Sequence, residues 1–392
     1  MNIPFYKEVD DFLSSQISSG LHRSLTPIIS RDGPYITTPK GSFLSFASND
    51  YLGLSFHPDV VFAFCNSATE HGVGSGGSRL ICGTLSPHTK LEKELSLFKG
   101  TERSLIFSSG YLANLCALTS FSDSNTVIFS DERNHASIVD ACRLSKASVC
   151  IYHHLDPVHL RQCVLSFPKE TKKIIVTDSI FSTDGAVAPL EEIQDISDCF
   201  SALLIVDEAH ATGIFGRNGS GLCSSLNISP DLHVSTLSKA FGLSGGFISC
   251  SKIFAENIIN KGRGFIYTTA PSPPISSAAL KSLEIISSSR GIKLREQLFS
   301  NIEYFTSGLE NLGIPFDRYS HIISIPFGDP HISIKASSFL SKRNIFVLPF
   351  RPPTVSRGKS LLRIAISSIH DHFHLDSAIE AFSALKKEPD IF

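Results

Sequence analysis

The sequence predicts an α/β fold, in which a largely parallel sheet carries helices on both faces and is followed by a smaller α+β domain. Three observations carry this reading. Short β-rich runs recur at 104–107, 126–129, 149–152, 174–177, 203–206, 233–236 and 247–249. Several are separated by stretches long enough for crossover helices, at 110–120, 135–146 and 189–200; such alternation joins parallel strands. After a Pro-rich turn at 270–274 the rhythm changes, with a long helix at 275–289 and then mixed elements: strands near 322–326, 345–348 and 362–366, and helices near 333–342 and 375–386.

The remaining elements follow from local signals. Residues 5–20 read as an amphipathic helix, and a polar arm rich in Ser, Pro and Gly extends to about Lys40. A helix is expected at 58–70. Another runs from Pro87 to Lys99, with Ser86 as N-cap, Pro87 at the first helical position and Gly100 as the stop. The expected division is an N-terminal helix and arm at 1–45, a large domain at 46–280 and a small C-terminal domain at 281–392. No internal repeat is visible.

Bulk properties narrow the function. The chain has 392 residues, of which 42% are apolar and 18% charged, so it can bury a sizeable core. A formal net charge of −2 argues against a nucleic-acid-binding face or an anionic-membrane anchor. The nine cysteines show no Cys-x-x-Cys pairs and no Cys/His ligand spacing, which predicts reduced thiols and no metal site. Residues 1–11 carry acids where a signal peptide needs a basic start, and no apolar run reaches membrane-spanning length. A cytoplasmic protein is expected.

The chemistry starts at Ser-Thr-Leu-Ser-Lys-Ala-Phe-Gly-Leu-Ser-Gly-Gly, residues 235–246. It sets Lys239 among small residues and glycines, which leave room for a carbonyl partner and let the backbone approach a ring or a phosphate. In sheets of this kind ligands collect at the carboxyl ends of the strands. The apolar run at 203–206 ends in Asp207, with His210 three residues on. A carboxylate there suits a protonated pyridine nitrogen; taken alone, Asp207 could equally cap a helix and His210 be an ordinary loop histidine. The turn after 104–107 frees the N–H groups of Gly110 and Tyr111 at a helix start, a phosphate cradle. His135 and Ser182 also follow strand ends, and Arg351 and Arg363 offer guanidinium groups for a carboxylate. Gly72 to Gly77 lacks G-x-G-x-x-G spacing and a leading strand, which excludes a dinucleotide fold. Gly242-Leu-Ser-Gly-Gly246 matches a hydrolase elbow around Ser244, but a strand follows where a helix is needed.

Together these segments resemble the α-oxoamine synthases. The resemblance runs from Ser48-Asn-Asp-Tyr-Leu-Gly-Leu54 to Arg363 and includes Gly74-Ser-Gly-Gly-Ser-Arg79, Asn134-His-Ala-Ser137, Phe181-Ser-Thr-Asp-Gly185, Asp207-Glu-Ala-His210 and Ser238-Lys-Ala-Phe-Gly242. It implies the aspartate-aminotransferase-like fold (fold type I), with a mostly parallel seven-stranded sheet and a smaller α+β C-terminal domain. It also implies pyridoxal 5′-phosphate as cofactor and a homodimer with a shared active site. By position, Lys239 would form the aldimine with the cofactor, Asp207 would pair with the pyridinium nitrogen and His135 would stack on the ring. Ser182 and His210 would lie near the phenolic oxygen. Gly110, Tyr111 and Thr236 would hold the phosphate, with Thr269 reaching in from the partner subunit. Arg363 would bind the amino-acid carboxylate, with Asn49 close by. Arg351-Pro-Pro-Thr-Val355, with Arg23 near the acyl-substrate site, is most like the members that condense L-alanine with pimeloyl-CoA, or a pimeloyl thioester on a carrier protein, in biotin synthesis. Glycine C-acetyltransferase-like or serine palmitoyltransferase-like chemistry is the alternative. Three positions depart from the family pattern: Leu361 and Ser356 replace a common Arg and Pro, and Ala211 a common Gly.

Overall fold

The β-rich runs become one sheet. The computed structural model describes residues 4–392, so the first three residues of the N-terminal arm lie outside the described residues. Two units are distinguished: one comprises Asn49–Ser182 and Val187–Arg295, the other the chain through Ser48, Thr183–Ala186 and Glu296–Phe392.

In the first unit a seven-stranded sheet has the order Arg103–Phe107, Gly246–Cys250, Leu232–Thr236, Leu203–Asp207, Lys172–Asp178, Thr126–Asp131, Ser148–Tyr152. Gly246–Cys250 is antiparallel to both neighbours, and the other pairings are parallel. The central strands are buried along nearly their whole length, as strands covered on both faces must be, and that is why they read as unbroken apolar runs. Leu105, Ile128, Val176, Ile205 and Val234 pack in one cluster with Ala113, Cys116 and Ala117 of the helix Gly110–Phe121. This helix is apolar all round and has small residues where it meets the sheet, so it lies buried and close.

Caps explain most helix starts. Ser109, Asp156 and Ser251 each accept a hydrogen bond from an N–H of the first turn that follows. The helix expected from Pro87 instead begins at Ser86, with Leu85 as N-cap. Here His88 does the capping: its Nδ1 accepts the Leu85 N–H at 3.0 Å, and its Nε2 lies 2.8 Å from Pro271 O. The bond to Pro271 is a donor's, so the imidazole is neutral, and burial pushes its pKa down. The helix expected after the Pro-rich turn starts earlier, at Pro273, because proline is tolerated in a first helical turn.

The second unit holds two four-stranded sheets. The polar arm is not wholly irregular: Ser30–Asp32, Tyr35–Thr38 and Gly41–Ser45 form an antiparallel meander, which Ile345–Phe346 joins in parallel. The single strand expected at 345–348 is therefore two, since Leu348–Phe350 pairs in the other sheet, beside Ser360–Ala365. A helix that sequence reading did not foresee, Ser289–Asn311, begins at the end of a serine run, spans the boundary at Arg295 and takes in Gly291.

A buried polar knot in this unit has a measurable consequence. His370 is 3% exposed; its Nδ1 accepts the Ser367 N–H at 3.0 Å and its Nε2 lies 3.1 Å from Ser45 O. That pattern requires a neutral ring, and burial lowers its pKa from 6.5 to about 4. Between those values the unfolded chain binds more protons than the folded one. Stability is therefore full above about pH 6.5 and is lost as pH falls toward 4, by on the order of 3 kcal/mol. Urea unfolding of wild type and His370→Asn across this range checks it: the variant is expected to lose part of the slope, and identical slopes would refute the assignment.

Candidate active site

The strand ends that carry the candidate residues lie side by side in the sheet. Asp178 and Asp207 are register partners on adjacent parallel strands, and Gly246 sits opposite both Phe107 and Thr236. The ends that carry Gly110, Lys239, Asp207, Asp178 and His135 therefore share one edge of the sheet.

A hydrogen-bonded chain links the ring-stacking candidate to the carboxylate. Asp207 is buried; its Oδ2 accepts from Asn114 Nδ2 at 2.6 Å, and its Oδ1 accepts from Ala209 N at 2.8 Å. Asn114 Nδ2 also donates to Ser137 Oγ at 2.9 Å, and Ser137 Oγ lies 2.7 Å from His135 Nδ1. The His135 backbone N–H donates to Asp178 Oδ2 at 2.7 Å. His135 Nδ1 also accepts the Ser137 N–H, which fixes the tautomer and the ring orientation, while the side chain stays exposed, as stacking on a ligand ring requires. Desolvation lowers the His135 pKa; Asp207 acts against that shift and Lys239 adds to it. Burial and the Asp207 charge drive the Asp178 pKa well up, opposed by the His135 N–H and Lys239. Lys239, half-buried, is thus close enough to act on both.

His210 is buried, with Nδ1 2.9 Å from the Tyr51 hydroxyl, which in turn lies 3.1 Å from Asn49 Oδ1. The phenol has one proton; given to Asn49, it leaves the Tyr51 oxygen to accept from His210 Nδ1. Tyr51 thereby joins two candidates from distant parts of the sequence.

The phosphate turn is equally well built. Ser109 caps the helix, its Oγ taking the Leu112 N–H and its carbonyl the Ala113 N–H. The N–H groups of Gly110 and Tyr111 have no intrahelical acceptor by geometry. A Cβ on Gly246 would come 2.5 Å from Gly110 N, and one on Gly110 3.3 Å from the Thr236 Cβ. At Gly246 only glycine permits this approach, and at Gly110 a larger residue would crowd Thr236. The Thr236 hydroxyl donates to Gly245 O at 2.8 Å, so across the 2.7 Å contact it accepts the proton of Ser238 Oγ. The residues present fit pyridoxal phosphate: a strand-end carboxylate, an oriented exposed imidazole, an anion-binding turn and a lysine converge.

The other predicted residues have the following surroundings. Ser182 is half-buried in the turn closed by the Ile180–Val187 bridge. Thr269 is exposed and bridges to Ser78, and the Tyr111 ring is exposed with its hydroxyl on Asp140. Arg79 of the glycine-rich run is a buried bidentate partner of Glu92, at 2.6 and 3.0 Å. In the other unit, Arg363 is 5% exposed on the central strand of its sheet, its guanidinium 5.6 Å from the Phe350 ring centroid. Arg23 donates to Pro352 O and Thr354 Oγ1, and Arg351 to Gly20 O and His22 O. These two guanidinium groups tie the arm to the 351–354 turn. Asn114, Ser137, Tyr51 and Ser238 were not singled out by sequence reading. Asn114 had a signal, lying one helical turn beyond Gly110 and so on its face.

The chain matches the family described as aminotransferase class I and II over residues 42–382. It is 36% identical over 386 residues to 8-amino-7-oxononanoate synthase 2 of Bacillus subtilis, covering 97% of this chain and 99% of that one. The chain belongs to the α-oxoamine synthase family. As an α-oxoamine synthase it is a pyridoxal-phosphate-dependent acyltransferase of the aspartate-aminotransferase-like fold. Among solved α-oxoamine synthases, a serine palmitoyltransferase from S. paucimobilis carrying a PLP–myriocin aldimine superimposes with a TM-score of 0.93 at 26% identity, covering 99% of this chain and 98% of that one. The 8-amino-7-oxononanoate synthase of Francisella tularensis gives 0.75 at 30% identity, covering 88% and 98%.

Proposed function

We propose that the chain is an 8-amino-7-oxononanoate synthase, joining L-alanine to pimeloyl-CoA, or to a pimeloyl thioester on a carrier protein, with loss of CO2 and the free thiol. The observation that carries this is near-full-length identity of 36% to a synthase of that name. Pyridoxal phosphate, when bound, supplies an electron sink for the carbanion at the amino acid's α-carbon. Lys239 Nζ would hold the cofactor and, as a neutral amine, would take the α-proton. Asp207, kept in place by Asn114, would face the pyridine nitrogen with its negative charge. Exposed His135 would lie against the ring, His210 and Ser182 would serve the phenolic oxygen, and Gly110, Tyr111 and Thr236 would hold the phosphate.

By the family resemblance Arg363 would take the alanine carboxylate, Asn49 would serve the amino-acid substrate, and Arg23 and Arg351 would serve the acyl end. Arg363→Ala is expected to raise the KM for alanine roughly 10- to 100-fold, the worth of a charge-assisted bond; an unchanged KM in steady-state kinetics would remove Arg363 from the site. The reading includes a cytoplasmic homodimer in which exposed Thr269 completes the partner's phosphate site. Among the described residues no helix is long and apolar enough to cross a membrane.

The higher TM-score to a serine palmitoyltransferase favours one rival, an enzyme that takes serine and a long acyl chain. Purified protein offered alanine, glycine or serine with pimeloyl-, acetyl- or palmitoyl-CoA decides. Alanine with pimeloyl-CoA is expected to lead in kcat/KM by about tenfold or more, since a pocket discriminates by that order for small apolar differences. A lead for serine with palmitoyl-CoA would replace the proposal.

A further inference from the structure

We infer that Lys99, on the helix Ser86–Lys99, is a positioning residue for the segment that bears Asp207 and His210; this deepens the functional reading above and rests on it. After the strand Leu203–Asp207 the chain passes through turns until the short helix Leu222–Ser225. Backbone without a regular ladder must be held by side chains. The holding point is the residue next to Asp207.

Glu208 is fully buried, and the Lys99 side chain is 1% exposed. The three protons of the ammonium group have three acceptors: Glu208 Oε2 at 2.8 Å, Thr212 Oγ1 at 2.9 Å and Ser220 O at 2.6 Å. Glu208 Oε1 accepts the Cys223 N–H at 2.9 Å, and His233 Nδ1 lies 2.9 Å from Oε2. The Glu208 backbone takes part as well, its carbonyl accepting from Ala211 N and Thr212 N and its N–H donating to Val234 O. A Cβ on Gly221, at φ +126°, would come 2.4 Å from Glu208 Oε1, so the carboxylate also dictates the glycine. One ion pair thus fixes positions 208, 212, 220 and 223 at once.

Glu208, Cys223 and His233 present donor atoms within 4.8 Å of one another, a set of the kind that holds a divalent cation. Here the Lys99 ammonium group supplies the positive charge. Burial opposes ionisation of Glu208, and Lys99 with His233 overcomes it, holding the carboxyl below its usual range. Such a pair is a poor source of stability, since apolar residues of similar volume serve as well or better. Its geometric effect is specific: it sets where the strand end stops and the His210 turn begins.

The test uses the Lys99→Met/Glu208→Gln double variant, which removes both charges together and leaves no lone buried ion. Cofactor-free protein is followed by thermal melting, pyridoxal phosphate uptake by absorbance titration, and the bound cofactor by the pH midpoint of its visible band. The double variant is expected to melt cooperatively, to bind pyridoxal phosphate about tenfold more weakly, as loss of an outer-shell partner typically does, and to show a displaced pH midpoint. A folded variant with wild-type affinity and midpoint would overturn the inference. So would one without a cooperative melt, which would assign the pair to the stability of the whole unit. Wild-type protein that takes up no pyridoxal phosphate would instead sink the functional reading, and the inference with it.

Discussion

Lys239→Ala is expected to abolish the visible absorbance of the lysine-bound cofactor and to reduce product formation by at least ~10³-fold, the upper range for loss of a residue that transfers the proton. Both effects come from one amine. The substitution should leave the fold in place, because Lys239 lies in a loop whose own backbone closes it: Leu237 N–H to Gly245 O at 3.0 Å, Leu243 N–H to Leu237 O at 2.9 Å and Gly242 N–H to Lys239 O at 2.8 Å. None of these bonds uses the lysine side chain. A melting curve matching wild type, beside a colourless and inactive protein, is the expected pair of results. A variant that kept its turnover would eliminate Lys239 as the reacting group.

Asp207→Asn separates charge from shape. The amide fills the space of the carboxylate and its Oδ1 still accepts from Ala209 N, while Asn114 turns its own Oδ1 toward the new Nδ2 in place of its donor, and no negative charge remains for a protonated pyridine nitrogen. Cofactor uptake through Lys239 and the Gly110 turn should persist, so the protein stays coloured. Turnover should fall on the order of 10²- to 10³-fold, because charge stabilisation at the ring fails while binding survives. Measured kcat within about fivefold of wild type would show that the ring nitrogen needs no anion here. Together the two variants distinguish loss of the attachment point from loss of the electron sink.

The seven-stranded sheet was legible because doubly covered strands must be apolar throughout, and runs such as Leu203 to Val206 are. The antiparallel direction of Gly246–Cys250 was not, since strand direction depends on partners and leaves no trace in periodicity. The arm's meander escaped for another reason: Ser30–Asp32 is exposed along its length, and its composition is that of a loop. At the site, Lys239, Asp207 and His135 stood out as strand-end chemistry. Asn114 and Ser137 did not, because a residue that orients another by a hydrogen bond looks like any polar helix residue until the two ends meet. Arg23 and Arg351 show the converse. They are conspicuous in sequence, yet nothing there signals the atoms they meet: Pro352 O and Thr354 Oγ1 for Arg23, and Gly20 O and His22 O for Arg351.

The antiparallel strand has one more consequence, for the order of assembly. Leu232–Thr236 and Gly246–Cys250 are neighbours in the chain and in the sheet, joined through the loop that carries Lys239. Their pairing closes a short loop at small entropic cost, whereas Asp207 and His135 reach the same edge only through long-range parallel pairing. Lys239 is therefore mounted on a local hairpin, able to form ahead of the strand ends that come to surround it.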